Sequence, residues 1–230
     1  MLPTSPASKK VMAIIPAYNE GERIYETVRA VLTIPEIGGV LVVDDGSTDD
    51  TSGAARLAGA QVLSLPANRG KGEALNRGVG KITAEVIVLL DADLGSSAGE
   101  ARNLIIPVTE GEADMTIARF PESTRKSGFG LVRRLAGAGV KFYTGLELSA
   151  PLSGQRAMTR EVLRRVVPFA SGFGVEVALT VKAAQAGFRI LEVPVKMGHR
   201  ETHRDLGGFL HRGRQFWHVA RAFWELGVGN

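Results

Sequence analysis

The sequence predicts an α/β fold, a parallel β-sheet with helices packed on both of its faces. Three observations point there. Short apolar runs alternate with helix-spaced segments through the first half of the chain. The run at residues 86–90, VIVLL, is apolar at every position, as a strand covered on both sides is. Polar, glycine-bearing loops follow these runs, as in sheets that bind ligands beyond the carboxyl ends of their strands. With 230 residues and 44% hydrophobic composition the chain can bury a sizeable core.

The elements follow in order. A polar, Pro- and Ser-rich stretch, MLPTSPASKK, opens the chain and is expected to fray. Residues 11–15, VMAII, form the first predicted strand, closed by Pro16. Residues 20–32 carry helix spacing, residues 40–43 the second strand, and residues 49–59 a helix that Ser47 or Asp49 can start. Strand 61–65, helix 70–80, strand 86–90 and a fifth strand at 113–117 continue the alternation. From Arg119 to Ser149 the character changes. Arg119, Arg125, Lys126, Arg133, Arg134 and Lys141 accompany a helix with glycines at both ends. Two readings stay open there, a solvated surface helix or a mobile basic flap over an anionic substrate. Structure resumes with LSAPLSGQRAMT, then helices around 161–167 and 175–186, then a strand at 189–193.

The totals narrow the class. No cysteine occurs, which excludes disulfides and thiolate metal sites and fits a reducing, cytoplasmic setting. No run of about 18 apolar residues occurs, so no transmembrane helix is expected. VMAII is too short for a signal peptide. The net charge of +4 suits phosphorylated small molecules, an anionic membrane surface or nucleic acid about equally.

Within VIVLLDADLG, Asp91 and Asp93 close the buried run one residue apart. Two ionised carboxylates ~4 Å apart repel by about 4 kcal/mol at an effective dielectric near 20. Either the side chains diverge or a cation stands between them. Three further loops carry distinctive polar sequences: PAYNEGE with Pro16, Tyr18 and Glu20; DDGSTDDT with Asp44 and Asp45; and NRGKGEA with Asn68, Gly70, Lys71 and Gly72. Each alone is an ordinary loop. Parallel topology brings all four to one rim. Carboxylates for base and ribose, a lysine for phosphate and an acid pair for a cation then describe a nucleotide-diphosphate–metal site. Mg2+ or Mn2+ in oxygen ligands would cancel the repulsion and keep positions for phosphate oxygens.

Taken in order, IIPAYNE, VVDDGSTDDT, NRGKGEALNRG and LLDADL resemble the successive signatures of nucleotide-sugar glycosyltransferases of the GT-A fold. The nearest type is the branch of polyprenyl-phosphate mannosyl- and glucosyltransferases, and the match spans about residues 11–117. The resemblance implies a Rossmann-like, mixed but mainly parallel sheet flanked by helices. It also implies that Pro16, Ala17, Tyr18, Glu20 and Asp45 line the nucleoside pocket, with Lys71 near it. Asp91, with Ala92 beside it, then faces ribose or metal-bound water, and Asp93 ligates the metal. At Gly95 the chain departs from the polyprenyl-phosphate enzymes, which often carry glutamine there.

The second half resembles a different subset. PLSGQRAM followed by VPFASGFGVEVAL is similar to the acceptor region of glucosyl-3-phosphoglycerate synthases, which share the fold. That similarity implies UDP-glucose as donor and a small phosphorylated acceptor such as 3-phosphoglycerate. Transfer to polyprenyl phosphate at the inner face of a membrane is the alternative. It further implies a histidine beyond the last strand as metal ligand, for which His199 is the counterpart; all four histidines fall between His199 and His218. Gly154, Gln155 and Arg156 read as the floor of the acceptor site or as a buried turn, and Arg200 as a cation for an anionic group. Glu176 is either a first-turn carboxylate favoured by the helix dipole or the group that binds the acceptor hydroxyl and acts as general base.

The C-terminus repeats FLHRGRQ, FWHVARA and FWELGVG, which places Phe209, Phe216 and Phe223 on one stripe of an amphipathic helix. Such a helix docks on the domain, pairs with a second subunit in a homodimer, or lies at a membrane interface. The expected division is a flexible tail at 1–9, a nucleotide-sugar half at 10–118, an acceptor half at 119–200 and a helical appendage at 201–230. A sugar-phosphate nucleotidyltransferase would need a glycine-rich loop where PAYNEGE stands. No G-x-G-x-x-G follows a strand, which excludes a dinucleotide-dependent oxidoreductase. A basic nucleic-acid- or membrane-binding module without catalysis is the non-enzyme rival, and it leaves the four rim motifs unexplained.

Overall fold

The computed structural model describes residues 11–120, 130–170 and 174–198. Along each central strand, successive side chains enter different cores. Ala13 and Ile15, Val40 and Val42, and Val86, Val88 and Leu90 pack on one side with Ile24, Val28, Leu104 and Ile105. Ile14, Leu41, Val43, Ile87 and Leu89 pack on the other with Leu75, Val162 and Leu179. This period of two explains why the strands read as unbroken apolar runs. Each large aliphatic side chain so buried contributes about 1.5–3 kcal/mol.

The strands are β1 Val11–Ala17, β2 Ile37–Asp44, β3 Gln61–Ser64, β4 Val86–Leu89, β5 Met115–Arg119, β6 Arg156–Thr159 and β7 Ile190–Pro194. Among the described residues they form one seven-stranded sheet, in the order β3-β2-β1-β4-β6-β5-β7. β1 is parallel to β2 and β4, β2 to β3, and β5 to β7. β6 alone is antiparallel to both its neighbours, β4 and β5. The sheet is thus mixed and mainly parallel, and it runs without a break through both expected halves of the chain.

β6 has no counterpart among the strands expected from the sequence. Its four residues, RAMT, begin with an arginine and end with a threonine, so no apolar run marks it. Its direction matters for the site. Leu89 at the end of β4 pairs with Arg156 at the start of β6. A reversed strand therefore delivers its amino end, with Gly154 and Gln155 just before it, to the rim where the parallel strands end.

The helices are α1 Ile24–Leu32, α2 Thr51–Leu57, α3 Lys71–Val79, α4 Arg102–Thr109, α5 Gly130–Thr144, α6 Arg160–Val166 and α7 Val175–Gln185. A 3-10 segment, Gly95–Ala101, leads into α4. α4 was not foreshadowed by the sequence pattern, and it contains Pro107. α7 is covered on two sides. Val175, Leu179 and Ala183, four apart, join the sheet-side core, whereas Val177 and Val181 pack with Val132, Ala136 and Val140 of α5. A helix apolar on both flanks is fixed in rotation, and Glu176 is fixed with it.

The approach to α7 is also held. Asn76 of α3 donates to the Phe169 carbonyl at 3.1 Å and accepts from the Phe169 amide at 2.7 Å. Lys182 of α7 donates to the carbonyls of Val166 and Pro168, each at 3.2 Å. At Gly72 an added Cβ would stand 2.1 Å from the Ala170 carbonyl oxygen, so a glycine is required where α3 meets this segment. No helix among the described residues is long and apolar enough to cross a membrane. The expected C-terminal helix at 201–230 and the tail at 1–9 lie outside the described residues.

Candidate active site

Four loops meet at the carboxyl rim, and hydrogen bonds stitch the first two together. The Asn19 amide donates to Ser47 Oγ and the Thr48 amide to Asn19 Oδ1, at 2.9 and 2.8 Å. The Glu20 amide donates to Thr51 Oγ1 at 2.9 Å and the Gly21 amide to Asp49 Oδ2 at 3.0 Å. Asn19 adopts the left-handed conformation, φ 55°, which asparagine tolerates. Burial disfavours the Asp49 charge, but the Thr51 hydroxyl and the amides of Gly21 and Thr51 outweigh it and hold the carboxyl below its usual range.

The residues expected around the nucleoside divide by exposure. Pro16 is half-buried and Ala17 buried at the end of β1, while Tyr18 projects with 44% exposure. Glu20 is half-buried. Asp45 is buried, and its carboxylate accepts from the Arg69 amide at 2.9 Å and the Gly70 amide at 2.7 Å. Asp45 therefore shapes the NRGKG loop and aims Lys71, the first residue of α3.

Lys71 is the centre of the cluster. Its Nζ donates to Asp91 Oδ1 at 2.8 Å and to Glu176 Oε1 at 3.0 Å. The three side chains retain exposures of 32%, 29% and 12%, in that order, so the ion pairs border the cleft. Burial disfavours the ammonium, but the charges of Asp91 and Glu176 outweigh this and hold its pKa well above the usual lysine range. Gln155 Nε2 donates to the other Asp91 oxygen, Oδ2, at 2.5 Å. Gly154 completes the wall: a Cβ there would stand 2.5 Å from Lys71 Nζ and 3.2 Å from Asp91 Oδ1.

The group read as the acceptor floor thus splits. Gly154 and Gln155 join the cluster, and Arg156 does not. Arg156 lies on the same face of β6 as Met158, the face covered by α7, so its guanidinium is enclosed. It donates to the carbonyls of Ser153 and Pro151 at 2.8 and 3.3 Å and to Thr180 Oγ1 at 2.7 Å. Burial pushes its pKa down to about 10 against the opposing pull of Glu176 and Glu192, so it stays charged at neutral pH. Glu192 holds the same loop from the outside, accepting from the amides of Ser149 and Ala150 at 3.0 and 2.7 Å.

Asp91's charge is met from within the chain, by Lys71. Asp93, half-buried two residues on, belongs to a turn held by α1, with Arg23 Nη1 donating to the Asp93 carbonyl at 3.3 Å. Ala92 is buried in that turn. Among the described residues no set of three or more His, Cys, Asp or Glu is gathered to hold a metal. Mg2+ is commonly bound by one or two carboxylates together with substrate phosphates. The all-oxygen Asp93 carboxylate, beside a cluster that holds the nearest aspartate in place, fits such shared coordination. His199 and Arg200 lie outside the described residues, as does most of the basic stretch before α5.

Sequence reasoning overlooked Asn19, Asn76 and Glu192, and it read Asp49 only as a helix start, not as the acceptor for the Gly21 amide. Each acts on a backbone group far away in sequence, and no local spacing announces such a partner.

Residues 12–169 match the family described as glycosyl transferase family 2. The chain belongs to that family. Its mixed sheet and rim loops form a GT-A-type glycosyltransferase domain. It is 32% identical to the glycosyltransferase AglJ of Haloferax volcanii, over 82% of this chain and 63% of AglJ. It is also 32% identical to glucosyl-3-phosphoglycerate synthase of Mycolicibacterium smegmatis, over 78% of this chain and 66% of that protein. The chain thus spans slightly under two thirds of the length of these two relatives. The fold matches crystalline Mycobacterium tuberculosis glucosyl-3-phosphoglycerate synthase in complex with Mn2+, UDP-glucose and phosphoglyceric acid. The TM-score is 0.76 at 27% identity, over 94% of this chain and 80% of that one. Another crystal of that enzyme holds Mg2+ and UDP, and matches with a TM-score of 0.77 at 26% identity, over 95% and 79% of the two chains.

Proposed function

We propose that this protein is a metal-dependent hexosyltransferase that uses a nucleotide-diphosphate sugar, UDP-glucose in this reading, and a small phosphorylated acceptor such as phosphoglycerate. The observation that carries the proposal is the convergence of Lys71, Asp91, Gln155 and Glu176, from four separate chain segments, beside the turn that bears Asp93. The relatives supply the substrate class: the mycobacterial synthase is seen with Mn2+, UDP-glucose and phosphoglyceric acid.

In this reading Pro16, Ala17, Tyr18, Glu20 and Asp45 form the nucleoside side of the cleft. Asp93 holds Mg2+ or Mn2+ together with the donor diphosphate. When bound, the cation supplies Lewis-acid stabilisation of the charge that grows on the leaving diphosphate. Lys71 and Gln155 occupy one oxygen each of Asp91, so this carboxylate is oriented before substrate arrives and needs little reorganisation. Glu176, with Oε1 on Lys71, is the hydrogen-bond acceptor for the incoming acceptor hydroxyl, and Gly154 leaves room for the Lys71 ammonium beside Asp91. The setting is cytoplasmic. Arg200 and His199 complete the acceptor and metal sites in the same proposal.

The test is calorimetry of UDP-, GDP- and dTDP-sugars with and without Mn2+, followed by product analysis with phosphoglycerate and polyprenyl phosphate. Cation-assisted uptake of UDP-glucose is expected, and Asp93→Ala should abolish both that enhancement and transfer while the circular dichroism stays native. Full transfer by Asp93→Ala in excess chelator would sink the metal role. Product formed only with polyprenyl phosphate would replace the acceptor.

A further inference from the structure

The turn that carries Asp93 is closed by a side chain outside every rim motif. Thr27, in the middle of α1, is fully buried. Its hydroxyl donates to the Ala92 carbonyl at 2.8 Å and accepts from the Gly95 amide at 2.8 Å. One hydroxyl thus spans the residues on either side of Asp93 and Leu94, using its single proton and one lone pair. Gly95 enters the turn with φ +55°, a conformation glycine adopts without strain, and a Cβ there would meet Glu26 Oε2 at 3.3 Å. From the N-cap position of the same helix, Arg23 reaches the Asp93 carbonyl. The backbone of the turn is therefore held by α1 at residues 92, 93 and 95, and the sheet holds it only up to Leu90, whose amide donates to Ile14 at 3.2 Å.

We propose that Thr27 is a positioning residue for the divalent cation: its hydroxyl sets the shape of the 92–95 turn and so the direction in which Asp93 presents its carboxylate. This rests on the reading of Asp93 as the metal-holding residue. A carboxylate that shares a cation with a diphosphate must meet it within a few tenths of an ångström, and octahedral Mg2+ tolerates misplacement poorly. A buried hydroxyl with both roles filled is suited to that task, because a rotated turn would leave the Ala92 carbonyl or the Gly95 amide without a partner. A packing role alone would need only the branched shape of the side chain, which valine shares.

The experiment compares the full-length wild type with Thr27→Val and Thr27→Ser. Mn2+ binding is read directly by electron paramagnetic resonance with UDP present, UDP binding without metal by calorimetry, and stability by thermal unfolding. Valine keeps the branch and loses both hydrogen bonds; serine keeps both bonds and loses the methyl. The expected result is an Mn2+ affinity about tenfold weaker for Thr27→Val, within about threefold of wild type for Thr27→Ser, with metal-free UDP binding unchanged in both. At saturating Mn2+, Thr27→Val should recover most of its kcat, the loss residing in the metal requirement. Mn2+ binding by folded Thr27→Val as tight as the wild type's would overturn the proposal. So would a tenfold loss in Thr27→Ser, which stands as a test even if the valine variant fails to fold. Absence of UDP-assisted Mn2+ binding in the wild type would instead bring down the metal reading of Asp93, and this inference with it.

Discussion

Gln155 Nε2 lies 2.5 Å from Asp91 Oδ2, although 64 residues separate the two in the chain. The contact exists because β6 runs against β4 and returns its first residue to the level of Leu89. With Lys71 on the other oxygen, Asp91 is held from two directions. The carboxylate at the strand end is thereby both neutralised and oriented, and Asp93 is the acid of the pair assigned to a metal in the proposed function.

Gly154→Ala should separate folding from activity. The new methyl would stand 2.5 Å from Lys71 Nζ, the far end of a flexible side chain, so the ammonium can move and the backbone need not. The expected outcome is a melting temperature within about 3 °C of wild type and a kcat/KM lowered by about tenfold or more. Wild-type kinetics in a folded Gly154→Ala protein would show that the ammonium's position is immaterial.

Lys71→Met should cost more in transfer than in stability. The ion pairs are about a third exposed at Lys71, so solvent screening keeps their contribution within about 1 kcal/mol, whereas loss of the ammonium removes a charged partner from both Asp91 and Glu176. A fall in kcat/KM of about 100-fold is expected. The pH dependence follows from a native lysine pKa above the unfolded value near ~10.4. The stabilisation is fully present below that value and is lost as pH climbs above it towards the native pKa. The difference in unfolding free energy between wild type and variant should stay flat from about pH 7 to 9.5 and narrow above about pH 10.4. Urea denaturation across that range would reveal a difference that instead vanishes on acidification to about pH 6, contrary to this assignment.

Gly72→Ala is expected to act on the fold first. A Cβ 2.1 Å from the Ala170 carbonyl oxygen meets backbone that Asn76 and Lys182 already hold, so the strain has no cheap outlet. A loss of about 1–3 kcal/mol in chemical denaturation is expected. Activity should fall as well, because the same segment leads into α7 and Glu176. An unchanged denaturation midpoint would show that α3 can shift away from the segment.

Most of the strand–helix order was readable in the chain, and Asp91, Asp93, Lys71 and Glu176 stood out there as candidates, of which the structure brings Lys71, Asp91 and Glu176 into contact. Buried strands announce themselves by continuous apolar runs, and loop chemistry by residue types clustered within a few positions. β6 and α4 were not readable: RAMT has no apolar run, and Pro107 stands inside the α4 segment. The partnerships were not readable either. That Lys71 bridges Asp91 and Glu176, that Arg156 turns into the core while Gln155 meets Asp91, and that Thr27 braces the aspartate turn all depend on contacts between segments distant in sequence. Periodicity along a chain records which face of an element is covered. The direction of a single reversed strand and the packing of α7 between two cores set which polar groups then come within hydrogen-bond reach, and those are properties of the assembled sheet.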